Sequence, residues 1–326
     1  MKAGPAAAAF APGEPTAWAG LLPVDKPAGV TSHDVVARAR RALCVRAAGH
    51  LGTLDPGASG LLVLAIGVAT RCALVWQGGV KTYEGVARFG IVTDTQDTHG
   101  RVLETHEVRP GEPEIRAAAL GLTGELMQVP PMVSALKHKG RRLYELARAG
   151  ETVERAPRPV RVEAWEWTSF APPDASFRVR CSGGTYVRTL VHDLGARLGC
   201  GAALAGLRRT RSEPFGVEQA CAWSDLVASE PGALLERHGI ALDRALEVLP
   251  AIALDEAGAD ALGHGRPVAV APGGAPVGAG ERSVVLRDLA GRALALGELR
   301  QGAREGEALA APQVVFPWAV REGKPA

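Results

Sequence analysis

Two spacings of apolar residues alternate along the chain from Gly20 onwards, one of period 2 and one of helical period. Gly20 to Asp25 is a short apolar run ending at Lys26-Pro27, and it predicts a strand. Thr31 or Ser32 can cap a helix through about Arg46: Val36, Ala39 and Leu43 recur at helical spacing, and Arg38, Arg40 and Arg41 take the remaining surface. A loop punctuated by Gly49, Gly52, Gly57 and Gly60 follows, and the unbroken run Leu61–Ile66 reads as a buried strand. From Tyr83 to Ile91, the residues Tyr83, Ala87, Phe89 and Ile91 fall on one side of an extended chain, with Glu84 and Arg88 on the other. Phe177, Val179 and Cys181 alternate with Arg178 and Arg180 in the same way. A helix is expected from near Thr185, with the stripe Leu190, Leu194, Leu198. Strands interleaved with helices give a mixed α and β main domain.

At 326 residues the chain is long enough for two domains and a large core. The first 20 residues are rich in Ala, Pro and Gly. Pro5, Pro12, Gly13 and Glu14 interrupt the only stretch that imitates a signal peptide, so the segment reads as a disordered leader and the address as cytoplasmic. The longest strongly apolar run, Leu61 to Ala69, is nine residues, far short of the roughly 20 that a membrane-spanning helix needs. Five widely spaced cysteines (Cys44, Cys72, Cys181, Cys200, Cys221) form no C-x-x-C pair. They read as buried free thiols rather than as a disulfide framework or zinc site.

Net charge is only +2, but it is unevenly placed. Residues 1–211 carry 27 Lys+Arg against 19 Asp+Glu, a net of +8, and residues 212–326 carry 10 against 16, a net of −6. A basic body with an acidic tail suits a polyanion partner if the charges share a face. The segment from Pro130 to Arg161, bounded by prolines, holds eight Lys+Arg and three Glu. A second boundary falls near Pro250, after which short strands such as Ser283–Leu286 and Ala293–Leu296 suggest a small β-rich domain.

Asp55, in Gly49-His50-Leu51-Gly52-Thr53-Leu54-Asp55-Pro56, is the sharpest candidate for chemistry. A carboxylate in a glycine-rich loop can attack an electrophilic carbon or move a proton; a turn-capping aspartate fits the same local pattern, so the motif alone does not decide. His50 fits a ligand-stacking or a loop-structural role, and Tyr83 a site or a sheet core. Tyr186 and Arg188 lie at a strand-to-helix junction and project to one side if the chain there stays extended. An arginine near a reactive carboxylate holds it ionised. Leu207-Arg208-Arg209 has the pattern of an ordinary strand end. Asp94, Asp97 and His99 lack calcium-loop spacing and read as turn formers. No phosphate-loop or dinucleotide fingerprint occurs, so no nucleotide or redox cofactor and no metal is expected.

Together these segments resemble the bacterial tRNA pseudouridine synthase B family. The pieces that carry the resemblance are Leu22 to Ser32, Gly49 to Pro56, Lys81-Thr82-Tyr83 and Gly90 to Gly100. Pro131 to Lys137, Tyr144 to Arg148, Gly184 to Arg188 and Leu207-Arg208-Arg209 complete them, all in order over about residues 20–215. The resemblance implies an α+β fold with a mixed, largely antiparallel sheet and flanking helices over residues 21–250, carrying a basic mobile insertion at about 130–161. It also implies a small C-terminal β-barrel, PUA-like, over 251–320. Implied too are isomerisation of uridine 55 in the T loop of tRNA by a monomer, Asp55 as catalytic carboxylate, and His50, Tyr83, Tyr186, Arg188 and Leu207 around the everted base. Three rivals remain: a guide-RNA-dependent synthase of the dyskerin type, a non-catalytic tRNA-folding protein, and an aspartate-nucleophile hydrolase of small molecules. The first lacks the insertion; the third is disfavoured by that insertion's charge and by the missing metal ligands.

Overall fold

The computed structural model describes residues 18–270, 283–301 and 308–320. The expected leader lies outside them as far as residue 17.

An 11-stranded sheet organises the first 250 residues. Its main path runs, by strand, Cys221–Ala222, Gly20–Lys26, Ser59–Ile66, Ala202–Ser212, Lys81–Phe89, Asp174–Cys181, Arg158–Ala171 and Gly124–Gln128. Ala48–His50 adds to Ser59–Ile66 as a hairpin partner. Two pairings in it are parallel, Cys221–Ala222 beside Gly20–Lys26 and Ala202–Ser212 beside Ser59–Ile66; the other described pairings are antiparallel, so the sheet is mixed and largely antiparallel.

Leu61–Ile66 is continuously apolar because both of its faces are buried. Leu62, Leu64 and Ile66 join a core beneath the helices Ser32–Ala42, Glu112–Leu120, Val187–Arg197, Trp223–Ala228 and Pro231–His238. Leu61, Val63 and Ala65 join a second core with Trp76, Phe215, Leu242 and Leu246. That second core also contains Val285, Leu296 and Phe316 from the C-terminal region. There, five strands, Ala251–Ala253, Ser283–Arg287, Ala293–Gln301, Ala308–Val315 and Val268–Val270, make a curled open sheet whose end strands are not paired to each other among the described residues. This half-barrel form is consistent with the expected PUA-like domain.

Several local expectations need adjustment. The first helix is capped by Thr31 with Asp34 in a reciprocal capping box, but it stops at Ala42 rather than near Arg46. Cys44 adopts a left-handed φ of 51° and is exposed, unlike the other four cysteines, which are buried. The strand through Tyr83 ends at Phe89. Gly90, at φ 89°, turns the chain, and Ile91 begins a separate half-buried hairpin strand. The helix expected from Thr185 starts at Val187, because the Gln128 side chain holds the Tyr186 backbone in an extended cap.

Candidate active site

Asp55 sits at the tip of the hairpin between Ala48–His50 and Ser59–Ile66, in a loop whose backbone is pinned from three directions. Leu51 and Leu54, each 3% exposed, anchor it in the cores. Ser32 Oγ accepts from the Leu54 N–H (2.8 Å) and donates to the Leu54 carbonyl (3.0 Å), tying the loop to the start of the first helix. Lys26, fully buried, donates to the carbonyls of Pro27, Val30 and Pro56 at 3.0, 2.7 and 3.3 Å. Burial lowers its pKa to about 8, against the opposing pull of Asp55. From the third side, Arg209 (2% exposed) donates to the carbonyls of Leu61, Gly52 and Thr53 at 2.7, 3.0 and 3.4 Å. Gly60 permits this packing: at φ 100°, a Cβ there would lie 2.2 Å from the Arg209 carbonyl. The glycine at this position therefore serves a close approach between strands rather than to a ligand.

Arg188 meets the carboxylate head-on. Its Nε donates to Asp55 Oδ2 at 2.8 Å and a terminal nitrogen to Oδ1 at 3.2 Å, a bidentate pair. Its remaining donors reach the carbonyls of Thr95 (2.7 Å) and Val133 (2.8 Å), and Asp97 lies 3.8 Å away. Arg188 is 3% exposed, whereas the Asp55 side chain is 41% exposed, so the carboxylate keeps a face open to the cleft. Fixing one arginine to three separate loops holds the reactive oxygens in place before any ligand arrives.

A cleft of about 440 Å³ opens on that face, within the range of small-ligand sites. All six residues singled out from the sequence line it: His50, Asp55, Tyr83, Tyr186, Arg188 and Leu207. Tyr83 is 7% exposed. Burial raises the pKa of its phenol, and the neighbouring Arg209 guanidinium opposes the rise. Tyr186 is raised by burial too, with the Ser134 hydroxyl acting against it. Burial, then the positive charge of Arg209, lowers the pKa of His50 and so favours the neutral imidazole, whose Nδ1 is buried without a partner among the described residues. No cluster of three or more His, Cys, Asp or Glu that could hold a metal occurs among the described residues.

Five further residues belong to the site and were not singled out by the sequence. Arg209 and Lys81 line the cleft beside Leu207 and Tyr83; period 2 along each strand places them on those faces and could have found them. Asp97 is a turn former as expected, accepting from the His99 N–H (3.0 Å) and Thr95 Oγ1 (2.8 Å), yet it also faces Arg188. Gln128, at the end of the edge strand Gly124–Gln128, and Ser134, from the start of the basic segment, are brought in with no local signal. Arg208, by contrast, turns away to pair with Asp25 at 2.6 Å.

Known proteins similar to this chain give its family. A model described as TruB family pseudouridylate synthase (N terminal domain) matches residues 40–187, and a tRNA pseudouridylate synthase B C-terminal domain model matches residues 188–247. The tRNA pseudouridine synthase B of Opitutus terrae is 54% identical over 202 residues, 62% of this chain and 84% of that protein. The chain belongs to the TruB family of tRNA pseudouridine synthases. The Burkholderia pseudomallei member of this isomerase family is 47% identical over 247 residues, 76% of this chain and 82% of that protein. Among solved structures, a Cbf5-Nop10-Gar1 complex contains a chain similar over 93% of this one and 87% of its own length, at 30% identity and a TM-score of 0.69. A chain of an H/ACA RNP bound to a substrate RNA containing 2'-deoxyuridine follows at 28% identity, 91% and 85% coverage, and a TM-score of 0.66.

Proposed function

We propose that the Asp55 cleft takes an everted uridine from the T arm of tRNA and exchanges its N1–C1′ bond for a C5–C1′ bond. The observation that carries this reading is the bidentate Asp55–Arg188 pair on the wall of a cleft also lined by two tyrosines. Eversion costs a few kcal/mol of lost stacking, and stacking on an aromatic side chain, worth roughly 1–3 kcal/mol per base, offsets much of it. Tyr83 supplies that surface; burial keeps its phenol protonated, which favours stacking over acceptance of a proton. Asp55 is the essential carboxylate, Tyr186 and Leu207 wall the base, and His50, neutral and at the cleft edge, fills the place the base leaves.

Sequence identity favours a stand-alone enzyme over a guide-RNA-dependent one, 54% to a curated synthase B against 30% to the Cbf5 chain. The reading extends to residues 21–250 as catalytic domain, 251–320 as PUA-like domain, and a monomer at work in the cytoplasm. No described helix is long and apolar enough to cross a membrane.

The test uses a T-arm stem-loop with tritium at uracil C5. The native chain is expected to release label, and Asp55→Ala to release none while still binding. Equal release by both would remove Asp55 from the role.

A further inference from the structure

Ser134 reaches the cleft from the basic insertion rather than from the sheet, and its buried hydroxyl makes no well-aligned hydrogen bond among the described residues, with the Tyr186 phenol within its reach. The residue is 6% exposed and lines the same cleft as Asp55, Tyr83 and Tyr186. A buried polar atom left without a hydrogen bond is uncommon and requires a reason. Its backbone, meanwhile, is fully engaged: the N–H donates to the Met132 carbonyl (3.0 Å) and the carbonyl accepts from the Tyr144 N–H (3.1 Å). Just upstream, the chain is docked onto the catalytic segment at two points. Gln128 brackets the Tyr186 peptide at 2.8 and 3.1 Å, and the Val133 carbonyl accepts from Arg188 at 2.8 Å. The Ser134 hydroxyl is therefore held in position by contacts that do not use it. Its hydrogen-bonding neighbour is the Tyr186 phenol, on the same wall, and a hydroxyl with one donor and two acceptor sites keeps capacity for a ligand beside that contact.

We propose that Ser134 is a substrate-binding residue whose Oγ–H donates to a carbonyl oxygen of the everted uracil. This rests on the cleft taking that base. The insertion then contributes a direct contact to the reacting base, in addition to whatever charge it offers the RNA. Because Val133 and Ser134 are consecutive, the strand of chain that completes the Arg188 hydrogen bonds is the same one that presents the hydroxyl. An insertion displaced from its seat loses both together.

A hydroxyl that waits for a ligand behaves differently on removal from one that supports the fold. Ser134→Ala in the full chain is expected to melt close to the temperature of the native protein, since the hydroxyl makes no well-aligned hydrogen bond within the fold. Its kcat/KM for tritium release, read below saturation, is expected to fall by about three- to tenfold, the loss of one neutral hydrogen bond. Stem-loops with 2-thiouridine or 4-thiouridine at the target site identify the oxygen, because sulfur accepts hydrogen bonds poorly. One of the two is expected to slow the native chain and to cost nothing further in Ser134→Ala. A native-level kcat/KM in Ser134→Ala overturns the proposal, as does an equal penalty from both thio-substitutions in the two proteins, or a lowered melting temperature with kcat/KM unchanged. A native chain that releases no label from any stem-loop instead removes the reading of the cleft itself.

Discussion

Arg188 holds its ion pair from the buried side, and that asymmetry sets what each partner's loss does. A buried guanidinium with four acceptors is satisfied only while all of them stay; removing one side of a buried pair leaves a charge unpaired and costs about 3–5 kcal/mol. Lysine offers one point charge where arginine offers a planar fork. Arg188→Lys is accordingly expected to lower single-turnover tritium release by about a hundredfold or more, the scale of effect that misplacing a catalytic group produces. A rate within a factor of two of native would show that the fork is dispensable. The buried lysines give a pH signature. Lys26 and Lys81 have pKa values lowered to about 8, burial being the first cause in each. In the unfolded chain they titrate near 10.4, so between about pH 8 and 10 the unfolded state holds protons that the native state has released. Stability from these groups therefore rises with pH across that window, and the cost of burying charge is present in full below it. Urea melts at pH 7.5, 8.5 and 9.5 are expected to show native stability rising relative to the Lys26→Met/Lys81→Met variant; a constant difference would contradict this. Asp55, Tyr83 and Arg188 were legible because each stands in a motif. Asp97 was legible only as a turn residue, since the partner that draws it into the site is 91 residues away along the chain.

At the level of elements, the site is made where strand ends and loops converge, and the insertion is the least sheet-bound of them. Its root is docked by Gln128 and Val133. Further out, Lys137, Lys139 and Arg142 make no ion pair among the described residues, and Arg141 pairs with Glu151 at 3.2 Å. The guanidinium groups of Arg148 (5.4 Å) and Arg142 (6.0 Å) lie over the Tyr144 ring, which keeps two cations together at the short helix Leu143–Arg148. Cations left without carboxylates are free to displace counterions from RNA phosphates. Changing Lys137, Lys139, Arg141 and Arg142 to Gln is expected to flatten the dependence of log affinity on log salt by roughly 0.7–0.9 for each phosphate that is no longer neutralised. Filter binding of the stem-loop from low to physiological salt measures it, and an unchanged slope would separate the segment from the RNA. The sequence disclosed this segment through its prolines and charge. It gave no sign that the first residues of the segment reach into the cleft.

Over the whole molecule, the boundary near Pro250 is visible in the sheets but not in the core. Val285, Leu296 and Phe316 share one apolar cluster with Leu61, Val63 and Trp76. The junction is also crossed by hydrogen bonds: Arg71 donates to the Val315 carbonyl (3.3 Å), and Arg287 to that of Asp243 (2.8 Å). Phe316→Ala, at a fully buried site, is expected to cost about 3–5 kcal/mol. Because the strand carrying the Asp55 loop packs on the same cluster, calorimetry should show one transition moving down as a unit. Two resolved transitions, only one of them shifted, would mean that the halves unfold independently.

The sequence by itself determined the strands and helices with strong period, the apolar run that must be buried on both faces, and the loop that carries the acid. Such features depend on neighbours a few residues apart, and a pattern records them. Only the tertiary structure decided that Arg209 and Lys26 brace the loop from beneath, that Gln128 holds Tyr186 extended, and that Ser134 enters the cleft. In each of these, donor and acceptor come from chain segments brought together by folding, and buried polar atoms take whatever partner the fold delivers.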